Sequence, residues 1–436
     1  MILNSPRFIR SGAIDSSVRR TVMKGVRIGT KSKYCCSRKT IVLLGVSAMR
    51  LLLRFLSLFF VAALPVTGSS QVQDLVQGQD RSAELRTAFA RSQHLKRGVN
   101  LSHWFSQNPR DYSAKHTDTD TDADDIALIA RLGFDNVRLS IDATPLEQWP
   151  LGADGLNAEF MSRLDKAVDM ILADGLAVQV DLHPEDSYKQ QLRSSDEAVV
   201  RLVMLWRKLA LHYASRDPER VFFEVMNEPE VYDSYRWAGI QAQVAAAIRD
   251  AAPKNTIIAA GGGWSNIVDV LSQRPLADGN VIYNFHFYDP HEFTHQGAAW
   301  DAQWWSYMHG IPYPASEASM PEYLKQLSNP ADRYRLELYW LDHWDAHRIQ
   351  LVIDAAAAWG KENHVPMECN EFGVYRRVND AASRNAWLHD VRTALEADGI
   401  GWTMWDYHGD FGVVPDSHAR PAVADPATVE ALGLQK

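Results

Sequence analysis

The chain has 436 residues, 46% of them hydrophobic and 10% aromatic, which suits a large buried core and excludes a disordered or fibrous polypeptide. Its formal charge of −9 is uneven: residues 1–70 carry twelve Lys/Arg against one acid, Asp15, whereas the other 366 residues carry 33 bases and 53 acids. A body that acidic repels nucleic acid and anionic membranes, so no nucleic acid partner is expected, and nothing in the sequence implies a protein partner.

Residues 1–48 are basic and without pattern, an extension that a start at Met49 would leave untranslated. From Met49-Arg50 the chain runs through an apolar stretch, Phe55 to Leu64, to small residues around Thr67-Gly68-Ser69. Charged, apolar, then small is the order of a secretory signal, here 49–70, so a secreted or periplasmic protein is expected. The apolar run is shorter than the roughly 20 residues a bilayer span needs, and membrane attachment is expected only if the signal stays uncleaved. Cys35 and Cys36 lie upstream of that cleavage, with no lipobox around them. Cys369 is then alone, and no internal disulfide is available.

After a lead-in at 71–96, short β-rich apolar segments alternate with longer helical patterns through 97–436. In chain order, strands are expected at Gly98–Leu101, Asn136–Ile141, Ala177–Leu182, Val221–Met226, Thr256–Ala260, Val281–Phe285, Val365–Asn370 and Gly401–Trp405. Helices are expected at Ala123–Leu132, Ala158–Ala173, Asp196–Ala214, Tyr235–Ala251 and Ser383–Ala397. Strands separated by helices imply parallel βαβ units. Eight of them over about 310 residues imply an α/β fold, a single-domain (β/α)8 TIM barrel, rather than an open sheet, since no Gly-x-Gly-x-x-Gly follows the first strand. One departure from the alternation, residues 287–345 after the sixth strand, holds Trp300, Trp304, Trp305, Tyr307, Tyr313, Tyr339 and Trp340. Such an aromatic insertion sits where barrel enzymes keep their sites, and its tryptophans either line outer subsites or pin the loop. No linker or second composition regime follows Trp405, so no appended sugar-binding module is expected.

The polar residues suited to catalysis fall at the expected strand ends: Arg138, His183, Asn227-Glu228-Pro229, His286 and Tyr288, Glu371, and Trp405. In a closed parallel barrel these ends converge on one mouth. Two carboxylates, Glu228 and Glu371, then meet across 143 residues of sequence. Glycosidic bond cleavage needs such a pair, one to protonate the leaving oxygen and one to attack or stabilise the anomeric centre. Glu368 is the rival to Glu371, but alternation along the strand puts the two on opposite faces. Glu224 shares parity with Glu228 and reads as a buried structural charge, with which Arg138 could pair instead. Trp104 and Trp264 follow strands one and five and are candidate sugar platforms.

Taken in order, Arg97-Gly98-Val99-Asn100, Asn136-Val137-Arg138-Leu139, Asp181-Leu182-His183, Asn227-Glu228-Pro229, His286-Phe287-Tyr288, Glu371-Phe372-Gly373 and the Trp405 strand end resemble family 5 of the glycoside hydrolases, the cellulase family. The resemblance covers Arg97 to about Val413. It implies a retaining hydrolase of a β-linked polysaccharide, an endo-β-1,4-glucanase first, working without metal or cofactor. It makes Glu371 the nucleophile, kept ionised by Arg138 and Tyr288, and Glu228 the acid/base. Asn227 would bond the sugar 2-hydroxyl, His183 and His286 would orient substrate and carboxylates, and Trp405 would stack beneath the sugar whose bond is cut. One departure is Asn370, where the family usually has Gly before the nucleophile motif, a change that could alter subsite shape.

Two other readings compete. A non-catalytic sugar-binding barrel would dispense with working carboxylates, whereas both are present. A zinc peptidase could use His291-Glu292-Phe293-Thr294-His295, which matches His-Glu-x-x-His. That chemistry needs a continuing helix and a third ligand, and Gly297 interrupts the segment. Asp118 to Asp122 suggests a calcium loop but lacks the required Gly and Glu positions, so these aspartates are expected to cap the helix from Ala123.

Overall fold

The computed structural model describes residues 68–108, 111–300 and 303–435. The basic extension 1–48 and the expected signal segment up to residue 67 lie outside the described residues. Eight parallel strands close on themselves in sequence order: β1 (Arg97–Phe105), β2 (Asn136–Ile141), β3 (Ala177–Leu182), β4 (Val221–Glu224), β5 (Thr256–Ala259), β6 (Val281–Phe287), β7 (Met367–Phe372) and β8 (Gly401–Met404), with β8 paired back to β1. The expected (β/α)8 barrel is the fold.

Short polar side chains start the surrounding helices. Asp122 accepts the N–H groups of Asp124 and Asp125 while Asp125 bonds back to the Asp122 N–H, a reciprocal cap that opens Ala123–Leu132. Asn157, Ser195, Asp233 and Asp380 accept first-turn N–H groups, without the return bond, at the starts of Ala158–Ala173, Asp196–Tyr213, Ser234–Ala251 and Ala381–Ala397. Strands β4, β5 and β8 end one or two residues short of expectation, because there the chain leaves the ladder to enter the mouth. The lead-in is largely helix, Gly68–Arg91, whose Arg91 bonds Glu219 and Thr256 beneath the barrel.

The insertion after β6 folds as small helices, His291–Thr294, Met320–Leu324 and Pro330–Leu341, before the longer helix Ala346–Asn363 leads to β7. Tyr313, Tyr339 and Trp340 belong to the core, and Trp304 and Trp305 pack partly against it. Trp300 and Tyr307 remain exposed.

Inside the barrel, side chains form layers whose polarity rises toward the C-terminal ends of the strands. At the bottom Leu95, Ala177, Phe222, Ile258 and Ile282 make a separate apolar cluster. Above them Asn136, Gln179, Glu368 and Thr403 are hydrogen-bonded to one another. A side chain at Gly98 would meet Asn136 Oδ1 at 2.3 Å and Thr403 Oγ1 at 2.5 Å, so only glycine lets this layer close. The next layer is Asn100, Arg138, Glu224, Asn284 and Asn370, all fully buried.

The ends of β4 and β5 are tied to the helices behind them by indoles. Trp206 Nε1 donates to the Val225 carbonyl at 2.7 Å, and Trp237 Nε1 donates to Ala260 at 2.9 Å. Trp206→Ala should therefore cost about 3–5 kcal/mol through the cavity alone, and more through the carbonyl left unpaired. Urea unfolding of the two proteins measures this, and a loss under about 1 kcal/mol would show that the site collapses without penalty.

Candidate active site

Arg138 stands at the centre of the mouth. Its Nε and NH2 take the two oxygens of Glu224 at 2.7 and 2.9 Å, NH1 takes Glu371 Oε1 at 2.6 Å and Asn100 Oδ1 at 3.0 Å, and NH2 also reaches Asn227 Oδ1 at 3.0 Å and Asp181 Oδ2 at 3.1 Å. The alternatives left open for Arg138 are thus both realised: one guanidinium face holds the structural Glu224 and another holds Glu371. Burial opposes its charge, but Asp181, Glu224 and Glu371 together raise its pKa. Glu224 also accepts from Asn284 and Asn370, at 2.7 and 2.9 Å, so a fully buried carboxylate has its lone pairs met.

The route by which Glu371 reaches the mouth differs from the one alternation predicts. Glu368 and Asn370 point into the barrel as same-parity residues should, yet Glu371 points in as well. The register explains it: Phe285 pairs with Cys369 and His286 with Glu371, so Asn370 is an extra residue in the β6–β7 ladder. This bulge turns Glu371 inward, while Cys369 faces the hydrophobic layer outside and bonds the Glu371 carbonyl through Sγ. Glu368 is therefore not on the opposite face; it lies below, held by Gln179 at 2.6 Å and Thr403 at 3.0 Å. Burial pushes its carboxyl up to about 8 against those bonds, which makes it neutral at pH 7. Asn370 is likewise buried, its amide on Glu224 and its carbonyl accepting from Asn100, so it shapes the bulge rather than a subsite.

Glu371 is completed by Tyr288, whose hydroxyl donates to Oε2 at 3.0 Å, and by His286 Nδ1 at 3.5 Å. Across from it Glu228 follows β4 with φ 38°, a left-handed conformation that a non-glycine residue adopts at a cost, and keeps about 30% of its side chain accessible. It does not start a helix, since that role falls to Asp233. His286 Nδ1 lies 3.0 Å from Glu228 Oε1, and Glu228, His286 and Glu371 offer donor atoms all within 4.8 Å of one another. Among the described residues these three are also the set spaced to hold a metal ion. Carboxylates this close match the separation of retaining rather than inverting glycosidases.

His183 and Asn227 fill the floor beside them. His183 contacts Asp181 Oδ2 at 3.1 Å and Asn227 Nδ2 at 3.0 Å, and burial first, with Lys189 and Arg138 adding to it, drops its pKa to about 3. Trp405 follows β8 and stacks on the His183 ring, 5.9 Å between centroids at 26°. A side chain at Gly373 would meet the Trp405 carbonyl at 2.2 Å, which is why glycine follows Glu371-Phe372. Trp264 is 43% exposed in the loop after β5, where Ser265 accepts the His286 N–H. Trp104 is a correction: only 3% exposed, it packs on Phe105 and donates its indole N–H to Thr117 O at 2.7 Å, leaving no face for a sugar.

The remaining metal readings do not assemble in the same way. The helix His291–Thr294 stops before His295, and the two histidine rings stack 5.0 Å apart without joining a three-ligand group among the described residues. Asp122 caps its helix and Asp120 pairs with His408.

Glu228 and His286 hold one proton between them. Burial opposes charge on both, but the Glu371 charge and the bond to Glu228 raise His286, and the imidazolium in turn lowers Glu228 to about 2. In an NMR titration His286 should lose its proton above 6.5, and His183 should stay neutral down to about 3. Because the folded value of His286 lies above its unfolded one, its contribution to stability is full below about 6.5 and is lost as pH rises through the folded value. Glu228→Gln should lower the His286 midpoint, and an unchanged midpoint would mean the two groups do not share a proton.

Comparison with known proteins places the chain among them by sequence and by fold. The model of the family "Cellulase (glycosyl hydrolase family 5)" matches residues 97–410. Endoglucanase C of Acetivibrio thermocellus is 29% identical over 319 residues, covering 72% of this chain and 91% of that protein. Cellodextrinase A of Ruminococcus flavefaciens is 32% identical over 334 residues, covering 70% and 94%. The solved structure of Thermotoga maritima Cel5A in complex with cellobiose superposes with a TM-score of 0.62 at 25% identity, covering 79% of this chain and 99% of that one. With its barrel, its ordered strand-end residues and these matches, the chain belongs to the cellulase family, glycosyl hydrolase family 5.

Proposed function

We propose that the protein is a retaining endo-β-1,4-glucanase, with Glu371 as nucleophile and Glu228 as acid/base. The observation that carries the reading is the pair of carboxyl groups within 4.8 Å, one clamped by Arg138 and Tyr288 and the other bonded to His286. Glu371 attacks the anomeric carbon as the glycosidic bond breaks, and the proton held by Glu228 and His286 passes from Glu228 to the leaving oxygen. Water entering from the other side then gives its proton to Glu228 and displaces Glu371, and two inversions retain the configuration. Positive charge develops on the sugar against the Glu371 carboxylate, which Arg138 and Tyr288 hold in place before the bond breaks. Asn227 bonds the 2-hydroxyl, and Trp264 supports a neighbouring sugar.

The β-1,4-glucan is supported by the endoglucanases and the cellodextrinase among the relatives, and the internal mode of cleavage by the former. Action outside the cytoplasm is supported by the charged, apolar and small residues of 49–70. Reducing-sugar release by residues 71–436 across β-glucans, mannan, xylan and xyloglucan tests the substrate. Activity is expected on carboxymethyl cellulose with a rapid fall in viscosity; activity confined to short cellodextrins, or to another glycan, would overturn the endo-glucanase reading. The first product should be the β-anomer by NMR. Glu371→Gln should abolish turnover on every substrate, by about 10⁴-fold or more, whereas Glu228→Ala should spare aryl glycosides with good leaving groups relative to glucan. The reverse ordering would exchange the two roles.

A further inference from the structure

Asp181 has no part in the chemistry above, yet it is fully buried beneath the mouth, with Oδ2 on Arg138 NH2 and on His183 Nδ1, both at 3.1 Å. The other side of the His183 ring meets two amides, with Nε2 at 3.0 Å from Asn227 Nδ2 and 3.1 Å from Gln107 Nε2. A guanidinium can only donate, so Arg138 NH2 at 3.0 Å from Asn227 Oδ1 fixes which end of that amide is oxygen. Asn227 must then donate to His183, and Nε2 must accept. The single ring proton therefore sits on Nδ1, where the carboxylate oxygen of Asp181 receives it. Reversing the tautomer would face Nε2–H against the N–H of Asn227, and flipping the amide to relieve that would turn its N–H onto Arg138. With one amide hydrogen committed to His183 and the oxygen to Arg138, the second hydrogen on Asn227 Nδ2 is left for a ligand.

We propose that Asp181 is a positioning residue: by holding His183 as the Nδ1–H tautomer, it directs an N–H of Asn227 at the 2-hydroxyl of the sugar whose bond is cut. The proposal rests on the glycosidase reading and its Asn227 contact. Such a contact strengthens toward the transition state, so its misdirection is read in kcat more than in KM. Asp181→Asn keeps an oxygen that can accept from both His183 and Arg138, whereas Asp181→Ala removes the acceptor.

The test compares kcat/KM for an aryl β-cellobioside with that for its analogue lacking the 2-hydroxyl on the reacting sugar. Asp181→Ala should lower kcat on the parent by about tenfold or more and flatten the ratio of the two substrates by a similar factor, while Asp181→Asn holds the ratio within about threefold of wild type. Equal losses on both substrates in Asp181→Ala would reduce Asp181 to a structural role and overturn the proposal. Long-range ¹H–¹⁵N NMR of the unmutated protein reads the His183 tautomer directly, so the proposal stays testable if Asp181→Ala does not fold; a proton on Nε2 overturns it. Failure of the glycosidase reading is distinguishable, since the unmutated protein would then turn over neither substrate.

Discussion

The mouth of this barrel depends on one buried cation. Arg138 has no access to solvent, and a guanidinium in that position must be surrounded by acceptors or not be there at all. Its five donors go to Glu224 (two of them), Asn100, Asn227 and Glu371, with Asp181 as a further ion pair, residues carried by β1, β3, β4 and β7 or the turns that follow them. Removing any one acceptor leaves a charge unmatched in low dielectric, so the contacts act as a unit. Such a network is a weak contributor to net stability when weighed against an apolar replacement. What it does provide is a carboxylate and an amide held at fixed positions before any substrate arrives.

The layers below make that arrangement affordable in a folded protein. Apolar residues seal the lower end, neutral hydrogen-bonding groups including a protonated Glu368 come next, and full charges appear only at Arg138 and above. Charge inside the barrel is therefore confined, in pairs, to the end that opens to water. There the groups divide by surroundings: Glu371 is held by Arg138 and Tyr288, whereas Glu228 shares a proton with His286 and keeps part of its side chain accessible. Two similar side chains are given different surroundings by their neighbours.

Much of this was legible in the sequence because it is carried by local signals. Asp122, Asn157, Ser195 and Asp233 announce helix starts through the short polar side chains that cap them, and the strands of β2 and β3 coincide with their apolar runs. Strand-end residues such as Arg138, Asn227, Glu228, His286 and Glu371 follow from the rule that parallel barrel strands converge at one end, and the structure brings them together. What was not legible depends on pairing between distant segments. The bulge at Asn370 exists only in register with β6, so alternation counted from Glu368 misplaces that residue. Trp104 lies within β1, which runs past its expected end at Leu101, and is buried against Phe105 and Thr117, contacts that no periodicity reports. The role of Asp181 needs Arg138 and His183 on either side of it, which only the closed sheet supplies. The aromatic insertion divides into core and surface residues for the same reason.

The central claim is that the bulge presents Glu371 to the anomeric carbon, and trapping tests it most directly. A 2-deoxy-2-fluoro β-cellobioside with a good leaving group slows both steps, the second enough for a glycosyl-enzyme to accumulate. Mass spectrometry of the digested protein is expected to find one added disaccharide on the peptide carrying Glu371. An adduct on Glu228 or Glu368, or turnover of the parent cellobioside with an inverted product and no adduct, would contradict it.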